Sequence, residues 1–413
     1  MKAAIANLQR NIFVILLYAS SVSGMACDLA NITNRSAVFA AWDTIMLFLI
    51  LFSLYYVPKG YALIVALLLT ATILNFVYSP VSLLVSLNGV REILVFILLP
   101  IFYYKVFANG NEEETSRYIR IFKNFSWFFL LIQVPATVFQ YIQFGASDAV
   151  GGTYGSLNSG SLSIIILCLI YFLFQFPMPV WKKITLFFLL APLMLNETKI
   201  SFILIPMLGV FIFFKPNFKN IFWAGIAGGL FLLLASQLYV HEQANVGHSI
   251  FDIFNKDFLD EYLLSYDELH PDVPRFTRMI LGYQIISQDN ITLLFGMEYG
   301  MFRGSTTGAV SQFAQNYGWL LTGTRPYAFF VMLQGGLVMV AGIFLVILKI
   351  CNFFKDLNKQ TLFYFIIFLV MELYSDSFRW QNFLIIFMFV LFFVNSDYFK
   401  SKAYLHENTD SYN

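Results

Sequence analysis

Charge is scarce in this chain. Of its 413 residues only 12% are Asp, Glu, Lys or Arg, against about a quarter in ordinary soluble domains. With 59% apolar residues and a mean hydropathy of +0.72, a soluble fold would lack the polar groups to cover its surface, and disorder is excluded too. Cysteine is nearly absent. Cys27, Cys168 and Cys351 lie far apart in or beside apolar runs, which rules out a disulfide scaffold and a zinc ribbon. The four histidines show no HxxxH or HxxH spacing, so no dedicated metal site and no cofactor is expected. A net charge of +1 carries no footprint of nucleic acid.

What is present is a succession of apolar runs. A helix needs about 20 apolar residues to cross the hydrocarbon core. Twelve candidates appear, at 11–27, 38–57, 61–79, 91–107, 125–143, 161–176, 184–196, 200–214, 220–238, 327–348, 361–374 and 382–394. The sequence therefore predicts an all-α polytopic membrane protein with about 12 transmembrane helices. Residues 1–238 would hold spans one to nine and 239–326 a large outer, periplasmic loop with helical content. Residues 327–394 would hold spans ten to twelve, and 395–413 a cytoplasmic tail. Lys2 and Arg10 ahead of the first run fit a membrane helix better than a cleaved signal peptide. The pairs 184–196/200–214 and 361–374/382–394 are split because Asn196–Lys199 and Ser375–Arg379 would otherwise place charge in mid-membrane, at a cost of several kcal/mol.

Alternating these spans from a cytoplasmic N-terminus puts 16 of the 25 basic residues inside, as the positive-inside rule asks. Both termini are then cytoplasmic. The neutral total divides into a basic inner side and an acidic outer side. Against that acidic outer side, Arg275, Arg278, Arg303 and Arg325 gather in the second half of the long loop. Residues 275–288 carry an amphipathic helical pattern with Met279, Ile280, Tyr283 and Ile286 on one face.

Outer basic residues are the first candidates for chemistry. Arg91 opens the fourth span, Lys199 stands at the break between spans seven and eight, and Arg379 lies between eleven and twelve. Arginine's rigid fork of donors matches phosphate oxygens, so several converging on one point suit a pyrophosphate. The opposing reading pairs each with a nearby acid, Arg91 with Glu92 and Arg379 with Asp376. Glu197-Thr198-Lys199 adds a carboxylate, a hydroxyl and an ammonium at a helix break. Leu294–Gly300, with glycines at 296 and 300, predicts a tight, exposed loop that brings Glu298 and Arg303 towards a ligand. Gly151–Asn158 reads as a flexible polar turn ahead of the sixth span. His241, His248 and His270 on the outer loop are candidates for a general base, with solvated loop histidines the commoner reading, and Gly225/Gly229 reads as a helix-packing spacing.

In order along the chain, these features resemble the O-antigen polymerase/ligase superfamily of polytopic glycosyltransferases. Gly152–Asn158 resembles that family's Gly-Thr-Phe-Gly-Asn-x-Asn stretch, and Glu197-Thr198-Lys199 its Thr-x-Ser-Arg. Arg278 and Leu294–Gly300 are similar to its Arg…Leu-Phe-Gly-x-Gly-x-Gly pattern, and Gln315-Asn316 through Gly335-Gly336-Leu337 to its His-Asn…Gly-Leu region. Lys199 departs from the usual arginine, and Gln315 from the histidine typical of ligases.

The resemblance implies a polymerase in the bacterial inner membrane. Such an enzyme moves a growing glycan from polyprenyl pyrophosphate to the non-reducing end of the next lipid-linked repeat at the outer face. The implied partners are the lipid-linked oligosaccharide donor and acceptor, membrane lipids and a chain-length regulator protein. Arg278 and Arg303 are the first candidates for the pyrophosphate and Glu298 for the acceptor hydroxyl. Arg91, Lys199, Arg275, Arg325, Glu197 and Arg379 are candidates for substrate binding. The competing functions are an O-antigen ligase, which would transfer finished polymer to a lipid core, and a flippase or transporter. The latter predicts ionisable residues at the bilayer midplane.

Overall fold

The computed structural model describes residues 2–32, 35–78, 83–145, 149–156, 158–196, 200–213, 273–302, 312–321, 325–352 and 358–401. Among these it is about 84% helical and contains no strand. Five helices among the described residues are long and apolar enough to cross a membrane: Ala3–Leu29, Lys59–Tyr78, Val85–Phe107, Glu112–Phe144 and Tyr327–Ile350. Ala37–Leu51, Ser159–Phe174, Leu204–Phe213 and Gln381–Asn395 are shorter apolar helices. The expected run at 184–196 forms two short helices, that at 361–374 forms one of 16 residues, and 220–238 lies outside the described residues.

The chain forms two compact units. The first takes Met1–Ile12, Phe39–Thr115 and Leu259–Asn413. It contains most of α2 (Ser36–Leu51), with α3 (Lys59–Tyr78), α4 (Leu83–Phe107), α10 (Arg275–Ile286), α11 (Asn290–Phe295) and α12 (Gln312–Tyr317). It also holds α13 (Tyr327–Ile350), α14 (Lys359–Tyr374) and α15 (Gln381–Asn395). On α15 every residue from Gln381 to Val394 is buried, so it is a core helix rather than a lipid-facing one. On α3, Tyr61, Val65, Leu68, Thr72 and Asn75 face inward while Leu63, Leu67, Ile73 and Val77 are exposed, the division expected where lipid covers one side.

Helix α13 is broken at Gly336, whose φ of 67° no helix accommodates. A break frees carbonyls that lipid cannot satisfy. Here the Met297 N–H donates to the Leu333 carbonyl at 2.8 Å. The Asn75 amide, from α3, donates to the carbonyls of Phe295 and Gln334 at 2.7 and 3.1 Å. A side chain at Gly336 would collide with the Leu294 carbonyl, and one at Gly296 with the Gln334 backbone, so glycine at both positions is what lets the two backbones touch. The large loop's described helices then pack on the first half of α13 through Val273, Ile286, Met301, Phe313, Leu320, Phe329 and Leu333.

At the other end of α4, Lys105 is buried and donates to Gln9 of α1 (Lys2–Leu29) at 2.5 Å and to Glu114 of α5 (Glu112–Phe144) at 3.0 Å. The second unit takes Phe13–Val38 and Ser116–Phe258. It holds the remainder of α1 and α5 with α6 (Ser159–Phe174), α7 (Val180–Phe188), α8 (Ala191–Leu195) and α9 (Ser201–Phe213). Helices α6 and α9 pack together, and the Asn196 amide, from the turn ahead of α9, donates to Ser163 of α6 at 2.9 Å.

Candidate functional site

The split between α14 and α15 lies where charge in the sequence required it. The chain leaves α14 at Tyr374, makes a 3-10 turn over Ser377–Arg379 and re-enters helix at Gln381. That turn presents Arg379 to two carboxylates. Its Nε donates to Glu92 and its Nη1 to Asp376, both at 2.7 Å. Arg325, just ahead of α13, reaches Asp376 at 3.5 Å and donates to the Leu321 carbonyl at 2.9 Å. Arg91 of α4 meets Asp43 of α2 at 2.5 Å and Glu92 at 3.9 Å, and the Gln381 amide donates to the other oxygen of Asp43. Three arginines and three carboxylates thus form one network.

The network is dry. Side-chain exposure is 1% at Asp43, 3% at Glu92 and no more than 19% at any member. Aromatic faces cover the guanidinium groups, with Arg379 4.2 Å above Phe330 and Arg325 5.3 Å above Phe302. Burial lowers the Arg325 pKa to about 10, Asp376 opposes that fall and Arg379 adds to it. Arg325 therefore stays charged at neutral pH. Desolvation of this kind offsets most of the Coulombic gain of buried pairs, so stability alone does not account for the network.

Several of its buried polar atoms have no hydrogen-bond partner. Arg91 Nε and Nη2 and Asp43 Oδ2 have ion-pair contacts, while Nε of Arg325, the hydroxyl of Tyr327 two residues on and Oε1 of Glu372, four residues ahead of Asp376, lack even these. Tyr327 starts α13 and its ring lies against Phe96, Phe378 and Phe330 at centroid distances of 5.6, 5.4 and 5.9 Å. Its hydroxyl lies within electrostatic reach of Glu372, Arg379 and Asp376. Glu372 occupies the last turn of α14. Arg275 pins that end of the helix, its Nε donating to the Tyr374 carbonyl at 3.0 Å and its guanidinium lying 4.5 Å above the Tyr374 ring. Sequence reasoning passed over Asp43, Glu92, Tyr327 and Glu372 as functional residues. The available signal was a lone acid inside an apolar stretch at Asp43 and Glu372, and for Glu92 its place beside Arg91.

The other candidates distribute differently. Arg278 is 1% exposed and donates from Nη2 to the Val273 carbonyl at 3.0 Å, so it faces the packing of α10 on α13. The inward side of α10 is Arg278, Gly282 and Ile286, whereas Ile280 and Tyr283, expected there, are about half exposed. Glycine at 282 admits the Phe329 ring, which a side chain would strike, and this turns the helix. Glu298 is 5% exposed and already partnered. Its loop, expected to be exposed, is buried under α13, with the Gly300 N–H donating to Gln334 at 2.6 Å. Glu197, Lys199, Arg303, residues 239–272 with their histidines, and Gly225/Gly229 lie outside the described residues.

The Gly152–Tyr154 segment, expected to be flexible, is a buried 3-10 turn in the second unit. Gln140 both donates to the Gly152 carbonyl at 3.0 Å and accepts from its N–H at 2.6 Å, while Gln133 donates to the Thr153 hydroxyl at 2.6 Å and accepts from the Thr153 N–H at 2.9 Å. Beyond it Ser156, Asp28 and Arg35 join in the wall of a cavity of about 580 Å³.

No protein-family model matches the chain, and no curated protein matches it. Its site is read from its own chemistry: fixed cations, their counter-charges and three polar atoms without partners.

Proposed function

We propose that this protein is a polysaccharide polymerase of the bacterial inner membrane. It transfers a growing glycan from polyprenyl pyrophosphate to the non-reducing end of the next lipid-linked repeat at the outer face, with both termini cytoplasmic and about 12 spans. The observation that carries this reading is the meeting of Arg91, Arg325 and Arg379, three positions selected as phosphate ligands, in one dry network.

The carboxylates hold each guanidinium in a fixed orientation and leave further N–H donors for a substrate. Donors fixed in advance in a water-poor site stabilise charge as it develops. The charge here is that of the departing lipid pyrophosphate when the glycosidic bond to it breaks, and arginine supplies that without a metal. Arg275 supports the site through the end of α14. Arg278 holds α10 in place, and Arg303 and Lys199 stand as further cations for the phosphates, with Glu197 and Glu298 handling hydroxyls. A chain-length regulator would act as a protein partner.

The test is a deletion strain together with purified protein in lipid nanodiscs supplied with the lipid-linked repeat. Single repeats in the strain and polymer formation in vitro support the polymerase. Polymer retained on the carrier lipid would identify a ligase instead. Movement of labelled lipid-linked sugar across liposomes without polymer would identify a transporter.

A further inference from the structure

Among the buried atoms without a hydrogen-bond partner at the arginine network are two donors, Arg325 Nε and the Tyr327 hydroxyl, and one acceptor, Glu372 Oε1. A buried polar atom left unpaired costs about 1–3 kcal/mol, so each of the three calls for an account. None of the three belongs to the ion pairs already described. The three arginines of the network have Asp43, Glu92 and Asp376 as counter-charges, which leaves the Glu372 carboxylate as an additional acid at the same place. Arg275 fixes the end of α14 that carries it. A ligand bearing both an oxyanion and a hydroxyl would satisfy all three atoms: the oxyanion accepts from Arg325 and Tyr327, and the hydroxyl donates to Glu372.

From this geometry we infer that Glu372 is the base that activates the acceptor sugar, with Tyr327 and Arg325 binding the donor's phosphate beside it. The inference rests on the polymerase reading and names the acceptor-handling residue of that same site. Glu372 Oε1 takes the proton of the acceptor hydroxyl as that oxygen bonds to the donor's anomeric carbon. The bond from this carbon to the pyrophosphate oxygen breaks, and its electron pair leaves with the lipid pyrophosphate. The proton then passes from Glu372 to water.

The experiment compares wild type, Glu372→Gln, Glu372→Asp and Tyr327→Phe as full chains in nanodiscs. The probe is the pyrophosphate-linked oligosaccharide that accumulates in membranes of the deletion strain. Glu372→Gln should bind this lipid within about threefold of wild type and polymerise it at least 100-fold more slowly, the low end of general-base effects of about 10²–10⁴. Glu372→Asp should recover part of the rate, and Tyr327→Phe should weaken binding severalfold.

Glu372→Gln working at the wild-type rate, or losing binding and rate in parallel, would overturn the assignment and leave the polymerase standing. Wild type forming no polymer would remove the polymerase reading and this inference together. Should Glu372→Gln fail to fold, the other two variants decide: wild-type rates in both refute the inference.

Discussion

Arg379 donates to Glu92 across 287 residues of sequence, at 2.7 Å. The bond ties the turn between α14 and α15 to α4, and through Arg91 to Asp43 on α2. Removing one partner of a buried pair costs about 3–5 kcal/mol because the other charge stays buried. Arg379→Ala should therefore lower both the folded yield, seen as loss of the monodisperse peak in detergent chromatography, and the polymer. Arg379→Lys keeps the charge but loses the fork, and should fold while shortening polymer on a gel ladder.

Arg278→Ala separates packing from chemistry. A side chain 1% exposed whose Nη2 bonds to a backbone carbonyl is part of the structure, and emptying its site should lower the melting temperature of the purified protein. The polymer made per folded molecule should change little. A normal melting temperature with no polymer would return Arg278 to the pyrophosphate.

Asn75→Leu should lower stability by about 1–3 kcal/mol, the desolvation cost of the Phe295 and Gln334 carbonyls it leaves unmet. Asn75→Asp should do no better, since a carboxylate cannot donate to them. Chemical unfolding in mixed micelles measures both.

Gln140→Ala tests the second unit. It strips Gly152 of both its donor and its acceptor and should loosen the turn, read as new protease cleavage between residues 149 and 158. The first unit's Arg379 network should be untouched, as judged by the accessibility of a cysteine placed at Ser375.

Most helices were legible because length and hydropathy are local properties. The runs at 61–79 and 327–348 reappear as Lys59–Tyr78 and Tyr327–Ile350, and the turn after Tyr374 falls where unpaired charge forbade a continuous span. The arginines were legible as a class, since a cation in an acidic, apolar setting is conspicuous. Two partners were legible as chain neighbours, Glu92 for Arg91 and Asp376 for Arg379, but nothing within a few residues of Arg379 announces Glu92, and Asp43 and Glu372 are each lone acids inside apolar runs. The misread loop at 294–300 has a different cause. Glycines signal freedom in a sequence, but at Gly296 the space is filled by the Gln334 backbone, so the same residues that suggest a flexible tip make a buried contact.

The break in α13 has a consequence for how the chain is made. Gln334 and the freed carbonyls of Leu333 and Gln334 would be poorly tolerated in a helix entering lipid alone. Asn75, Met297 and Gly300, which meet them, all precede α13 in the sequence. A ribosome working from the N-terminus thus delivers these partners before the segment that needs them. Biogenesis of α13 becomes a docking step onto an existing cradle rather than a solitary insertion.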